Sequence, residues 1–193
     1  MIIRILIFTY LLIFSTKTFA EIGYGLDFGA GFASDSRVDE ITSKRASQGS
    51  PYVTSSYDDG AIFIRGFVSQ SVSDNSVELG LFTANGFSAD YTDGGQTGTD
   101  DYNINGIDAI FNIEVLTNID LRIGGHYTFI DGDDNLVIGS GSNDIKSTNI
   151  DGAGIVFGTN YNFGSFRTGI SYYGGVGGNS DAYMTVLTAG FGF

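Results

Sequence analysis

The strongest constraint on this chain is a period of two. From Ile22 onward, apolar and aromatic residues alternate with glycine, polar or charged ones. No sustained stripe at helical spacing competes with that pattern. In the first segment Ile22, Tyr24, Leu26, Phe28, Ala30 and Phe32 share one face, and Gly23, Gly25, Asp27, Gly29 and Gly31 share the other. The same alternation predicts strands over about 61–70, 76–85, 104–116, 121–129, 152–162, 166–173 and 183–193.

The connections alternate as well. Long polar stretches, 34–56, 86–103 and 130–149, follow the first, third and fifth strands. Short turns at 71–75, 117–120 and 163–165 follow the second, fourth and sixth, and a glycine loop at 174–180 precedes the eighth. An even number of strands, one apolar face per strand, and long loops at one end opposite short turns at the other predict an all-β fold. It is an eight-stranded antiparallel transmembrane β-barrel. A secreted β-sandwich also alternates, but its core would not accept inner faces built from glycine and charge.

The first 20 residues stand apart. Arg4 precedes the apolar stretch Ile5–Phe14, and Thr18-Phe19-Ala20 is a small-x-small site, so residues 1–20 are predicted to be a cleaved secretory signal peptide. The barrel domain is then 21–193, beginning at Glu21. Beyond Ala20 the chain has seven basic against 22 acidic residues, a formal −15, which repels nucleic acid. It has no Cys and a single His, so thiolate and multi-histidine metal sites are excluded.

Strand parity sends a set of charges to the face opposite the apolar band. Asp27, Arg65, Glu78, Asp108, Glu114, Arg122, His126 and Arg167 point inward, as does Asp120 close to its turn. An eight-stranded barrel is just wide enough for side chains to fill it, so these charges are expected to pair in a packed lumen. Arg65 and Glu78 are nearly symmetric about the 71–75 turn and are expected to meet across it.

Other motifs carry less. His126 has no nucleophile and orienting acid at a catalytic spacing, and no catalytic residue is expected. Asp131-Gly-Asp133-Asp134-Asn135 opens like a calcium loop, but Leu136 and Ser142 occupy the positions that need Gly and Glu. Only weak divalent-cation binding is expected there and at the acidic loops holding Asp90, Asp93, Asp100 and Asp101. Gly23-x-Gly25 and Gly152-x-Gly154 lie within strands with no helix to follow, so neither is a phosphate loop. No cofactor or defined metal site is expected.

The segment Tyr183–Phe193 ends on an aromatic residue with Phe191 and further apolar residues at alternate positions upstream. It resembles the C-terminal signal of bacterial outer-membrane barrels. With the export signal and the eight strands, the chain is similar to small OmpA/OmpX-type barrel proteins of porin-like architecture. The resemblance implies a bacterial outer-membrane location, contact with membrane lipid and lipopolysaccharide, and engagement of the barrel-assembly machinery through Phe191 and Phe193. The expected role is structural or surface-interacting rather than enzymatic. A small porin-like diffusion channel is the first alternative, a lipid-modifying enzyme the second, and a shortened porin that needs partners to close its pore the third.

Overall fold

The computed structural model describes residues 22–34, 53–93, 96–135, 150–178 and 181–193. The predicted signal peptide lies outside them. Among the described residues nine strands occur in chain order: β1 Ile22–Ala33, β2 Val53–Asp58, β3 Gly60–Val72, β4 Asn75–Asp93, β5 Gln96–Leu116, β6 Ile119–Asn135, β7 Ile150–Phe163, β8 Phe166–Gly174 and β9 Tyr183–Gly192. All pair antiparallel, and the ring runs β1–β3–β4–β5–β6–β7–β8–β9. It closes where β9 pairs with β1, from Gly25↔Gly192 to Ala33↔Met184. The eight-stranded barrel is therefore complete within one chain, which removes the shortened-porin alternative.

Three two-residue turns join the strands at one end: Ser73-Asp74, Thr117-Asn118 and Gly164-Ser165. Each holds one residue in the left-handed region, Ser73 at φ 58°, Asn118 at φ 69° and Gly164 at φ 66°. Glycine and asparagine adopt that conformation at least cost.

The other end departs from the expected long loop. The composition of residues 86–103 is that of a connection, yet β4 and β5 continue as one ladder from Phe87↔Tyr102 to Asp93↔Gln96. The register slips between Asn85 and Phe87, and Gly86 takes φ 121° at the slip. This bulge marks where the ladder leaves the barrel wall. β6 follows β5 as far as Thr99↔Asn135, and β2 adds to β4 on its other side. A four-stranded sheet, β2–β4–β5–β6, thus stands beyond the barrel rim. Its Asp, Gly and Thr composition carries no apolar alternation, so its ladders leave no trace in hydropathy.

Burial follows parity. The outward residues of the barrel are apolar and exposed, with Ile62 and Leu81 each at 68% and Phe157 at 55%. Such a belt needs lipid to cover it. At the long-connection end it meets polar groups, where the outward Tyr127 hydroxyl donates to Asp151. The inward residues are buried. Phe63, Phe82, Phe87, Tyr102, Ile104, Ile130, Val156, Tyr173, Met184 and Val186 form an apolar cluster in the half of the lumen facing the long connections. The β8–β9 connection folds into that mouth. Val176 and Gly177 are buried, and the Gly177 amide donates to Thr128 Oγ1 at 2.8 Å.

Candidate functional site

The inward charges converge on one lattice at the middle of the lumen. β3 supplies Arg65, whose Nε and Nη2 grip the Asp108 carboxylate of β5 at 2.8 and 2.7 Å. Its Nη1 reaches Glu78 at 2.8 Å and Asp27 at 3.3 Å. From β8, Arg167 grips Asp27 of β1 in the same forked way, through Nε at 2.8 Å and Nη2 at 2.6 Å. Its Nη1 donates to Glu78 Oε1 at 2.5 Å. Arg122 of β6 donates to Ser171 Oγ at 2.8 Å and lies 3.4 Å from Glu78 Oε2. Glu78 therefore touches all three guanidinium groups.

Three arginines face three carboxylates, so the lattice is neutral. Its acids and bases are all buried; Arg65 is wholly enclosed. Two bidentate forks give it the geometry that compensates desolvation best. Space for it comes from glycine. A Cβ on Gly80 would lie 2.6 Å from both Arg65 Nε and Asp108 Oδ1. Phe67 lies between two cations, its ring centroid 3.9 Å from Arg167 Cζ and 5.0 Å from Arg65 Cζ.

Asp27, Arg65, Glu78, Asp108, Arg122 and Arg167 meet in this lattice. Arg65 is paired in register with Phe82 and Glu78 with Ser69, so the two are not cross-strand partners. They meet diagonally inside the ring, because tilted strands bring inward residues of unequal register to one height. Glu114 corrects the expected set. It shares the inward parity but sits at the last turn of the ladder, exposed and outside the lattice. There it borders a polar cavity of about 270 Å³ together with Asp74, Asn112, Asp120 and Asn162.

His126 is buried, with Nε2 2.9 Å from the Gly174 carbonyl oxygen and its ring 5.5 Å from that of Tyr173. Among the described residues no hydroxyl is hydrogen-bonded to it. Tyr173, Phe67 and Ser171 were missed by sequence reasoning. Tyr173 donates to Asp108 Oδ2 at 3.1 Å, and its ring packs 5.0 Å from Phe82, joining the charge lattice to the apolar cluster above it. The signal was present, since each shares the inward parity of an arginine on its own strand. Among the described residues no group of three or more His, Cys, Asp or Glu is placed to hold a metal ion. The calcium-like segment has its first residues on β6, and residues 136–142 lie outside the described ones.

No family model matches the chain, and no curated protein matches it significantly in sequence. Solved structures do match. Neisserial surface protein A is 13% identical over 89% of this chain and 95% of that one, with a TM-score of 0.50. Ail, the attachment invasion locus protein of Yersinia pestis, solved with the heparin analogue sucrose octasulfate, is 12% identical over 90% and 99%, with a TM-score of 0.52. At these identities the likeness is one of fold. The architecture is that of the small bacterial outer-membrane barrels, as the resemblance in the sequence implies.

Proposed function

We propose that this barrel acts at the cell surface, with the lumen as a stabilising lattice and the projecting β2–β4–β5–β6 sheet as the working part. The outer membrane is its site, with the short turns in the periplasm and the projecting sheet outside. Residues 1–20 serve as the export signal. Phe191 and Phe193 face outward and act as the recognition element for the assembly machinery.

One observation carries the reading: the strand extensions beyond the rim are acidic, while Arg37, Lys44, Arg45 and Lys146 fall in the stretches 34–56 and 130–149 of the sequence. Among the described residues the only Lys or Arg side chains are the three lumen arginines, each committed to the lattice. Residues 53–58, 86–103 and 131–135 hold eight Asp and no Lys, Arg or Glu. The ladder sets Asp100 opposite Asp134 and Asp101 opposite Asp133. Like charges in register oppose each other and favour a cationic neighbour. A basic polypeptide surface is the partner this sheet fits. The polyanion bound to Ail is the opposite class of ligand.

The test uses the full-length protein refolded in phosphatidylcholine vesicles, with polylysine as the probe. Binding should be strong at low ionic strength and fall steeply as salt is raised. The variant carrying Asp100→Asn, Asp101→Asn, Asp133→Asn and Asp134→Asn should bind several-fold more weakly. Equal binding by parent and variant overturns the proposal.

A further inference from the structure

The end of the barrel opposite the projecting sheet carries a second group of acids. The cavity of about 270 Å³ at the short turns is lined only by Ser, Asn, Asp and Glu. Three of its lining residues, Asp74, Glu114 and Asp120, are carboxylates. Asp74 lies in the β3–β4 turn, and Glu114 and Asp120 flank the β5–β6 turn. Glu114 and Asp120 are also paired in register. Like charges directly opposite each other on a ladder are destabilising. In the lumen every carboxylate of the lattice meets an arginine, but here none does. Asp120 accepts a hydrogen bond from Asn162 Nδ2 at 2.8 Å, a neutral donor, so the negative charge of the cavity stays uncompensated.

Asn112 gives a second, independent observation. It lines the same cavity, two positions further into the barrel than Glu114, and is only 3% exposed. Its Nδ2 donates to Ser76 Oγ at 3.0 Å, while its Oδ1 has no partner. A buried acceptor without a donor is costly. Arg122 stands opposite Asn112 in register, yet its terminal nitrogens turn to Ser171 and Glu78. An unmet acceptor among unpaired carboxylates suits a cation or the water that a cation holds, and it repels an anion.

We infer that this cavity binds one hydrated magnesium ion. The donor set selects the class. Calcium takes about six to eight oxygen ligands directly. Among the described residues no three carboxylates converge closely enough for that. Magnesium gives up its water reluctantly and is usually held through one or two carboxylates, with water completing its shell. The cavity has the room, since each water occupies only about 30 Å³. Glu114 and Asp120 supply the charge, and Asn112 Oδ1 accepts from a water of the ion. Bound there, the ion ties the β3–β4 turn to the β5–β6 turn. The inference is independent of the role given to the projecting sheet, which lies at the other end of the barrel.

The experiment places the full-length protein in phosphatidylcholine nanodiscs, which leave both ends open to solvent. Mn²⁺ is the probe, a paramagnetic stand-in for Mg²⁺ that broadens the amide signals of nearby residues. In the parent the signals of Asp74, Glu114 and Asp120 should broaden at low Mn²⁺ and recover when excess Mg²⁺ is added. The variant with Asp100, Asp101, Asp133 and Asp134 all changed to Asn should show the same broadening at these three residues. Glu114→Gln combined with Asp120→Asn should need many-fold more Mn²⁺, and Asn112→Ala several-fold more. If Asn112→Ala does not fold, the double variant and the parent's broadening map decide. Broadening confined to the projecting sheet, broadening that Mg²⁺ does not reverse, or a double variant that responds like the parent overturns the inference and leaves the cavity to water.

Discussion

Glu78 is the residue on which the lumen turns. It is buried, and its two oxygens touch Arg65, Arg122 and Arg167. Glu78→Gln keeps the shape and removes the charge, leaving three guanidinium groups against two carboxylates. Removing one partner of a buried pair typically costs about 3–5 kcal/mol. Urea unfolding in vesicles should show a loss of that order, whereas Asp101→Asn, at an exposed position of the projecting sheet, should change stability by about 0.5 kcal/mol or less. Equal stability of Glu78→Gln and the parent would mean that water already solvates the lattice. Parity alone identified which charges face inward, because alternation is a local property. It did not identify which charges meet. Arg65 finds Glu78 four positions off their register, and that offset is set by the tilt and closure of the whole ring. Glu114 shows the same limit from the other side, since parity gives its direction but not its height.

At the scale of elements, the strands of the wall were legible and their extensions were not. Ile62, Phe111 and Leu187 announce their strands through what lipid and lumen demand of alternate positions. Phe87 and Tyr102 stack at the start of the extensions of β4 and β5, and beyond them the sequence is rich in Asp, Gly and Thr, so no hydropathy pattern announces the backbone pairing that continues there. The two kinds of segment should respond oppositely to charge. Ile123→Arg, on the outward face near the middle of β6's barrel span, should cost roughly 2–4 kcal/mol in vesicles. Asp101→Arg, beyond the rim, should be close to neutral, and comparable costs at the two sites would argue against lipid covering the belt. The β8–β9 connection tests a different dependence. A Cβ on Gly152 would lie 2.2 Å from Gly178 Cα, so the inward fold of Val176–Gly178 requires glycine at 152. Gly152→Val should push that segment out of the mouth. Hydrogen exchange at the Gly177 amide, protected in the parent by Thr128, should then speed up while gel mobility of the barrel is retained.

Along its axis the molecule stacks layers of different chemistry. From the short turns inward, the polar cavity beside Asn112 and Asp120 gives way to the charge lattice. Beyond that lie the rings of Phe63, Phe82 and Tyr173, then Ile104, Ile130, Met184 and Val186, and finally the inserted Val176–Gly178 segment. An ion crossing this lumen has to displace a carboxylate or guanidinium from a bidentate partner and then shed its water in an apolar layer. The two barriers fail independently. The full-length protein in planar bilayers should therefore show no steady conductance, and Glu78→Gln, though less stable, should stay silent because the aromatic layer above it is untouched. Phe82→Ser combined with Met184→Ser thins the apolar layer while leaving every charge paired, and it too should stay silent while the lattice holds. Only the combination of Glu78→Gln with the two serine substitutions should pass small ions. Open steps from the parent would show that the lumen is a pathway, and the diffusion-channel alternative would then replace the packed barrel.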